Sequence, residues 1–170
     1  MPFRMREPAP PLEVALTDGG TWSLAEQTPR ASSVVVFNRG LHCPLCRSNL
    51  REFEAKLDDF TTAGSTVVAV SADDSSRATQ AKKEWELRRL AVGYGLSTDV
   101  ARQWGLFISR RVREGEPVEF CEPGLFLIKA DGTLFYAAIN SAPWGRPAVD
   151  QILLGINVSI QRGLPARGEA

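Results

Sequence analysis

The chain has 170 residues, with 20 lysines and arginines against 20 aspartates and glutamates, so its formal net charge is zero. This length is sufficient for a substantial hydrophobic core, and we expect residues 1–170 to form a single domain. The balanced charge does not favour nucleic acid or a membrane surface as a partner. The start has no apolar run of signal-peptide length, and no stretch approaches the roughly 20 apolar residues of a membrane span, which favours a cytoplasmic location.

Apolar residues recur with strand and helix periods along the chain. The segments that predict strands are 12–16, 21–24, 33–37, 66–71, 92–96, 124–129 and 133–139. The segments that predict helices are 44–63, 76–90, a short segment capped by Ser97 or Thr98 that ends near Trp104, and 147–161. Outside them we expect an extended lead-in over 1–11, a charged, irregular excursion over 109–117 and a loose tail over 163–170.

The order of these segments predicts the topology. Gly-containing turns at 17–20 and 130–132 are hairpin signals, so the first two and the last two strands form antiparallel pairs. The strands that alternate with helices must pair in parallel through crossovers. The pattern therefore predicts an α/β fold: a mixed sheet with helices on both faces and an N-terminal β-hairpin. In such sheets the site lies at the carboxyl end of a central strand, here 33–37.

Two cysteines, Cys43 and Cys46, follow that strand at the start of the predicted helix. The free N–H groups and the positive dipole end of a helix start stabilise an anion, so a cysteine there commonly has a lowered pKa. We interpret Cys43 as the exposed nucleophile and Cys46 as the more buried resolving partner. Arg39 adds positive charge nearby. His42 adds charge, shuttles a proton or is a plain turn residue.

Two other interpretations of the cysteine pair remain open. A zinc site would need a second pair of ligands, and only Cys121 and His42 are available, so we expect no metal. Two inert core cysteines are the other alternative, against which Pro44 and the strand–loop–helix setting argue. In a reducing cytoplasm, a Cys-x-x-Cys pair is more often redox-active than a structural disulfide.

A Cys-Pro-x-Cys motif after a buried strand resembles the thioredoxin fold. The chain is most similar to the peroxiredoxin branch, the alkyl hydroperoxide reductase and thiol-specific antioxidant (AhpC/TSA) superfamily, and within it to a Cys-x-x-Cys subgroup. The matching segments are the lead-in hairpin at 11–24, Gly124-Leu125-Phe126-Leu127-Ile128 with Asp131-Gly132, Gly145-Arg146-Pro147 and the ending at 164–169. Together they span residues 10–169.

The chain departs from that family at three positions around Cys43. The family's threonine before the peroxide-attacking cysteine is replaced by Gly40, and its proline by Val36. The family's active-site arginine is replaced by Pro123. The resemblance therefore implies a site that lacks two polar groups used to bind peroxide, with Arg39 as the candidate to replace the lost charge.

Pro123 instead resembles the thioredoxin-type proline that precedes a late strand and faces the cysteine pair. That likeness predicts a cis Glu122–Pro123 bond, with a trans proline that opens a strand as the alternative. Backbone beside the pair would then hold an extended substrate. Glu122 would disfavour the Cys43 thiolate through its like charge. Cys121 is either a third reacting thiol or a buried bystander.

These observations predict an enzyme, a thiol-based oxidoreductase that works through Cys43 and Cys46 without a cofactor. Because of Gly40 and Pro123, we favour thiol–disulfide exchange over its close alternative, the reduction of hydrogen peroxide or alkyl hydroperoxides. A redox sensor or binding module with little turnover is a further alternative. The expected partners are a peroxide or a protein disulfide, an external thiol donor such as thioredoxin or glutathione, and a second copy of the chain in a homodimer.

Overall fold

A computed structural model describes residues 3–169. Its strands are β1 (Glu13–Leu16), β2 (Thr21–Ser23), β3 (Ser32–Phe37), β4 (Ser65–Val70), β5 (Ala91–Tyr94), β6 (Ile108–Arg110), β7 (Glu119–Cys121), β8 (Gly124–Lys129) and β9 (Leu134–Ile139). Its helices are α1 (Pro44–Ala55), α2 (Leu57–Thr62), α3 (Ser75–Glu84), α4 (Thr98–Gln103) and α5 (Val149–Gly155). A short 3-10 turn, Leu24–Glu26, follows β2, and a π-turn, Ile156–Ile160, extends α5.

Seven strands form one sheet in the order β2-β1-β5-β4-β3-β8-β9. The central strands β3, β4 and β5 are parallel, as their helical crossovers require. The β1–β2 and β8–β9 hairpins are antiparallel, and β8 joins the sheet antiparallel to β3. The predicted mixed sheet and the N-terminal hairpin are confirmed.

The central strand β3 is buried on both faces of the sheet. Because successive side chains alternate across a strand, Val34 and Val36 point into one core and Val35 and Phe37 into the other. The first core contains side chains from α1, α2, α3 and α5, and the second contains α4 and the lead-in. Helices on both faces are therefore confirmed, and β3 delivers its carboxyl end to the loop that precedes α1.

The predicted helix over 44–63 is two helices. Lys56 separates them at φ −108° and ψ 12°, and its N–H donates to the Phe53 carbonyl, three residues back, at 3.1 Å. This tighter bond changes the direction of the chain. Phe53 and Phe60 then stack with their ring centroids 5.6 Å apart in the core. Periodicity alone does not reveal such a break, since both segments keep an apolar face.

The predicted helix over 76–90 ends early, at Glu84. Glu86 adopts a left-handed φ of 58°, and the Leu87 N–H donates to the Lys82 carbonyl at 3.0 Å, which is the hydrogen bond of a Schellman cap. The turn that follows buries Leu87 and Leu90. The last predicted helix, over 147–161, is α5 followed directly by the π-helical segment Ile156–Ile160.

The excursion over 109–117 is more regular than predicted. It begins within β6 and leads to β7, and these two strands pair as an antiparallel ribbon in the register Ile108 to Cys121 and Arg110 to Glu119. The turn between them is held by the Glu116 carboxylate, which accepts the backbone N–H groups of Val112 at 2.8 Å and Arg113 at 3.1 Å. This ribbon lies beside the loop that carries Cys43.

The extended lead-in and the tail, of which only the tail was predicted to be loose, both dock on the fold where the structure describes them. The Arg6 N–H donates to the Leu134 carbonyl at 2.9 Å, so part of the lead-in runs along β9. The Arg6 guanidinium donates to the Ala166 carbonyl at 2.9 Å and pairs with Glu169 at 2.7 Å. The expectations for residues 1, 2 and 170 lie outside the described residues. No helix within residues 3–169 combines the length and apolarity needed to cross a membrane.

Candidate active site

The two cysteines lie at the N-terminus of α1, where the sequence places them. Cys43 is the N-cap residue, with an extended backbone, and its sulfur accepts the Cys46 N–H at 3.2 Å. Pro44 takes the first helical position, where its missing N–H costs nothing. Both thiols are free in this structure. A sulfur that accepts the first N–H groups of a helix is favoured as a thiolate.

The turn before Cys43 is fixed by buried polar side chains. Asn38 donates to the Val70 carbonyl at 3.0 Å and accepts the Gly40 N–H at 2.9 Å. The Asp73 carboxylate accepts the Leu41 N–H at 2.7 Å. Gly40 has a φ of +93°, a conformation that glycine adopts without strain. This rigid turn ties the end of β3 to α1 and so positions Cys43.

The surroundings give the two sulfurs opposite preferences. A hydrogen bond from the Cys46 thiol lowers the pKa of Cys43 to about 6, against the opposing effect of burial. The Cys46 N–H and the charges of Arg146 and Arg39 lower it further. Burial, above all, raises the pKa of Cys46 well above its ordinary value, and its hydrogen bond to Cys43 adds to that effect. At neutral pH the pair is therefore a Cys43 thiolate and a Cys46 thiol.

Arg146 completes this pair, although the sequence analysis did not select it as a site residue. Its Nη2 lies 3.0 Å from the Cys46 sulfur, and its Nη1 donates to the Asn49 side-chain oxygen at 3.2 Å. The contact joins residues that are 100 positions apart in the sequence, so no local sequence pattern predicts it. The available signal was the Gly145-Arg146-Pro147 segment, where an arginine immediately precedes the last helix.

Arg39, the predicted replacement for the family's arginine, is largely committed to carboxylates. Its Nε lies 3.2 Å from Glu122 Oε2, and its Nη2 lies 3.9 Å from Glu116 Oε1. Its guanidinium also stacks 4.8 Å from the Phe120 ring centroid. Ser109 donates to the other Glu122 oxygen at 2.6 Å. Arg39 still lowers the pKa of Cys43, but its effect ranks below that of Arg146.

Cys43 lines a cavity of about 430 Å³ at the protein surface. Its neighbours there come from the β3–α1 loop, the start of α1, the β6–β7 ribbon with the residue after it, and the loop after β9: Arg39, Pro44, Leu45, Val112, Arg113, Glu116, Glu122, Ser141, Ala142, Pro143 and Trp144. The prediction of an exposed Cys43 is wrong, because only 1% of the residue is accessible to solvent. The surrounding loops therefore cover Cys43 almost completely, although the residue lines the cavity.

His42 packs against the ribbon. Its ring lies edge-to-face with Phe120 at a centroid distance of 4.7 Å, and neither ring nitrogen has a hydrogen-bond partner among the described residues. Burial lowers the pKa of His42, and Arg39 lowers it further. The lowered pKa favours the neutral imidazole, so it does not support the prediction that His42 supplies charge. Its role as a proton shuttle remains a prediction.

The predicted cis bond before Pro123 is wrong, since no peptide bond within the described residues is cis. The trans form has the lower free energy. It occurs here in the two-residue link, Glu122 and Pro123, between β7 and β8. The Glu122 N–H donates to the Phe107 carbonyl at 2.8 Å, and the Pro123 carbonyl accepts the Asn140 N–H at 2.9 Å. The proline therefore opens a strand, where a missing N–H is tolerated.

Cys121 lies in the core of the opposite sheet face. Its sulfur donates to the Asn38 carbonyl at 3.4 Å, and burial raises the pKa of Cys121 to about 12. A thiol in this state is a poor nucleophile. Within the part of the chain that the structure describes, no group of three or more histidine, cysteine and carboxylate side chains is arranged to hold a metal ion.

Comparisons with known proteins agree with this geometry. The model of the AhpC/TSA family matches residues 5–137. A Mycobacterium tuberculosis protein assigned as a peroxiredoxin is 27% identical over 144 residues, which cover 82% of this chain and 87% of the relative. The crystal structure of reduced Plasmodium vivax 2-Cys peroxiredoxin superposes with a TM-score of 0.77 at 16% identity, covering 94% of this chain and 98% of that one.

The peroxidoxin BcpB from Mycobacterium tuberculosis superposes with a TM-score of 0.74 at 16% identity, covering 92% of this chain and 97% of that one. At such low identity these superpositions establish the fold, while the family match establishes descent. With the dithiol at the helix start, they lead to one conclusion. The chain belongs to the AhpC/TSA family and has its thioredoxin-like fold, and members of that family are thiol-based oxidoreductases and peroxidases.

Proposed function

We propose that the chain reduces hydroperoxides, with Cys43 as the attacking thiolate and Cys46 as the resolving thiol. The observation that carries this proposal is the position of Cys43, which is 1% exposed on the wall of a cavity of about 430 Å³. A small hydroperoxide fits such a space. A protein disulfide would need its backbone to approach the enclosed sulfur. Pro123, which was expected to bind that backbone through a cis bond, is trans.

The first step uses the ionised sulfur. The Cys43 thiolate attacks the terminal oxygen of the hydroperoxide, so that an S–O bond forms and the O–O bond breaks. The departing alkoxide or hydroxide takes up a proton and leaves as an alcohol or water. Cys43 becomes a sulfenic acid. A pKa of about 6 supports this role, because the thiolate then predominates at neutral pH.

The second step joins the two cysteines. The Cys46 sulfur attacks the sulfur of the Cys43 sulfenic acid, the S–O bond breaks, and the hydroxyl leaves as water with the proton that Cys46 gives up. The product is a Cys43–Cys46 disulfide. The hydrogen bond between the two side chains supports this closure, since the sulfurs are already neighbours in the reduced protein. An external thiol donor, such as thioredoxin or glutathione, then returns two electrons.

Thiol–disulfide exchange is the second candidate, and the Cys-x-x-Cys geometry favours it. A Cys43 thiolate that caps a helix and has a hydrogen-bonded partner thiol can attack a disulfide as well as a peroxide. The proposal ranks it second because Cys43 is enclosed. A small disulfide could enter the cavity more readily than a folded protein could.

Two rates measured on one sample decide between the candidates. Reduced protein is mixed with hydrogen peroxide in a stopped-flow instrument, and Trp fluorescence is followed, because Trp144 shares the cavity with Cys43. Insulin reduction is measured alongside. We expect a fast, saturable peroxide response that Cys43→Ser abolishes and Cys121→Ser preserves. A slow peroxide response together with rapid insulin reduction would reverse the ranking, and inactivity in both assays would favour the redox sensor.

A further inference from the structure

Arg146 contacts the resolving sulfur itself. Its Nη2 lies 3.0 Å from Cys46 Sγ, within the range of a hydrogen bond to sulfur. Asn49, one turn further along α1, accepts Nη1 at 3.2 Å and so fixes the plane of the guanidinium. Gly145, which precedes it, has a left-handed φ of +77°, which glycine adopts without strain. The arginine is thus aimed at Cys46 from a separate segment of the fold.

The charges around Cys46 change during the proposed cycle. Cys43 and Arg146 are the titratable groups that act most strongly on Cys46, and they act in opposite directions. In the reduced protein the Cys43 thiolate accepts the Cys46 S–H and opposes its ionisation. Once Cys43 is a sulfenic acid or a mixed disulfide, that negative charge is gone. The positive charge of Arg146 remains, so the balance moves toward a Cys46 thiolate.

We propose that Arg146 is a catalytic residue of the second step, which holds the Cys46 sulfur and stabilises it as the nucleophile that closes the Cys43–Cys46 disulfide. This assignment rests on the proposed function only in taking Cys46 as the resolving thiol. The order of events follows from it. Cys46 remains protonated and donates a hydrogen bond until Cys43 has reacted. Arg146 then stabilises Cys46 as a thiolate.

Loss of Arg146 then affects the two steps unequally. Cys43, with a pKa of about 6, is already mostly ionised at neutral pH, so a modest rise changes its thiolate fraction little. Cys46 is mostly protonated, so each unit by which its pKa rises lowers its thiolate fraction about tenfold. A thiolate of higher pKa is also intrinsically more nucleophilic, by about threefold per unit, and this offsets part of the loss. The expected net slowing of the second step is about threefold per unit.

The test separates the steps without peroxide. Reduced protein carrying Cys121→Ser is mixed with excess 4,4′-dithiodipyridine, a small neutral disulfide that releases one coloured thiopyridone when Cys43 attacks it and a second when Cys46 closes the ring. We expect Arg146→Gln to leave the first release nearly unchanged and to slow the second about threefold for each unit by which the pKa of Cys46 rises. The slowing should stay constant while the pH lies below the pKa of Cys46, and it should shrink only at a pH high enough for alkali to ionise Cys46 without the arginine.

Three further variants make the result decisive. Arg146→Lys keeps the charge and should recover part of the second rate. Asn49→Ala releases the guanidinium from its second partner and should slow the second release by a smaller factor, so it tests the assignment even if Arg146→Gln folds poorly. Arg51→Gln serves as the matched control, because Arg51 is an exposed arginine on α1, the helix of Asn49, and pairs only with the exposed Glu86 among the described residues.

The assignment is overturned if the second release is as fast in Arg146→Gln and Asn49→Ala as in the parent. It is independent of the peroxide result. A protein that fails to react with peroxide, yet closes its disulfide in an Arg146-dependent way, would refute the proposed function and keep this assignment.

Discussion

Gly40 and Asp73 face each other across the turn that precedes Cys43, so closely that a Cβ atom on Gly40 would overlap the Asp73 carboxylate. That carboxylate is buried, accepts the Leu41 N–H and pairs with Arg77 at 2.9 Å. In the family that the chain resembles, a threonine occupies the position of Gly40. The carboxylate here fills the space that such a side chain would need, so a threonine at position 40 would overlap Asp73.

The first prediction concerns that contact. We expect Gly40→Ala to lower the free energy of unfolding by about 2–5 kcal/mol, because the positive φ costs roughly 1–2 kcal/mol and overlap in a packed site costs about 1–3 kcal/mol. Gly132→Ala is the matched control, since Gly132 also has a positive φ, of 81°, but no atom within 4 Å of an added Cβ. Urea unfolding measures both variants. Equal losses would show that Asp73 does not restrict position 40.

The second prediction concerns the ionisation of Cys43. Its pKa of about 6 depends mainly on the hydrogen bond from the Cys46 thiol, so the rate of alkylation by iodoacetamide should rise with pH around a midpoint near 6. Because a lowered pKa means that the donor stabilises the thiolate, Cys46→Ala should move that midpoint upward. Cys46→Ser keeps a donor and should move it less. The explanation fails if the midpoint is the same in Cys46→Ala as in the parent protein.

A third prediction concerns the ion pair between Arg39 and Glu122. The Glu122 side chain is 4% exposed and that of Arg39 is 16% exposed, so removal of the carboxylate leaves a largely buried charge without its partner. We expect Glu122→Ala to cost about 3 kcal/mol in the free energy of unfolding. Glu119→Ala, which removes an ion pair with a highly exposed Arg110 on the same ribbon, should cost less than about 1 kcal/mol. Similar losses in the two variants would contradict this account.

The sequence was informative wherever neighbouring residues determine the structure. The strand at 33–37, the helix start at Pro44 and both hairpins follow from local patterns, and so does the placement of Cys43 and Cys46. The β6–β7 ribbon was missed because it is charged and lies outside the main sheet, where alternation of apolar residues is not required. The break at Lys56 is a change in hydrogen bonding that leaves the apolar face continuous.

The errors at the site have a common physical origin. Whether Pro123 is cis or trans depends on the link between two strands, and whether Cys43 is exposed depends on loops distant in sequence, such as the one that carries Trp144. Arg146 reaches Cys46 only after the last helix packs on α1. Arg39 is near Cys43 in sequence, but its charge is shared with Glu116 and Glu122. No local pattern reports these contacts.

The most direct test of the central claim identifies the oxidised product. One equivalent of hydrogen peroxide is added to the reduced protein, and the peptides that contain the three cysteines are identified by mass spectrometry, with Cys46→Ser as the comparison. The account predicts a Cys43–Cys46 disulfide with Cys121 free in the parent protein, and a trapped Cys43 sulfenic acid in Cys46→Ser. An unmodified Cys43, or a disulfide that includes Cys121, would contradict the account.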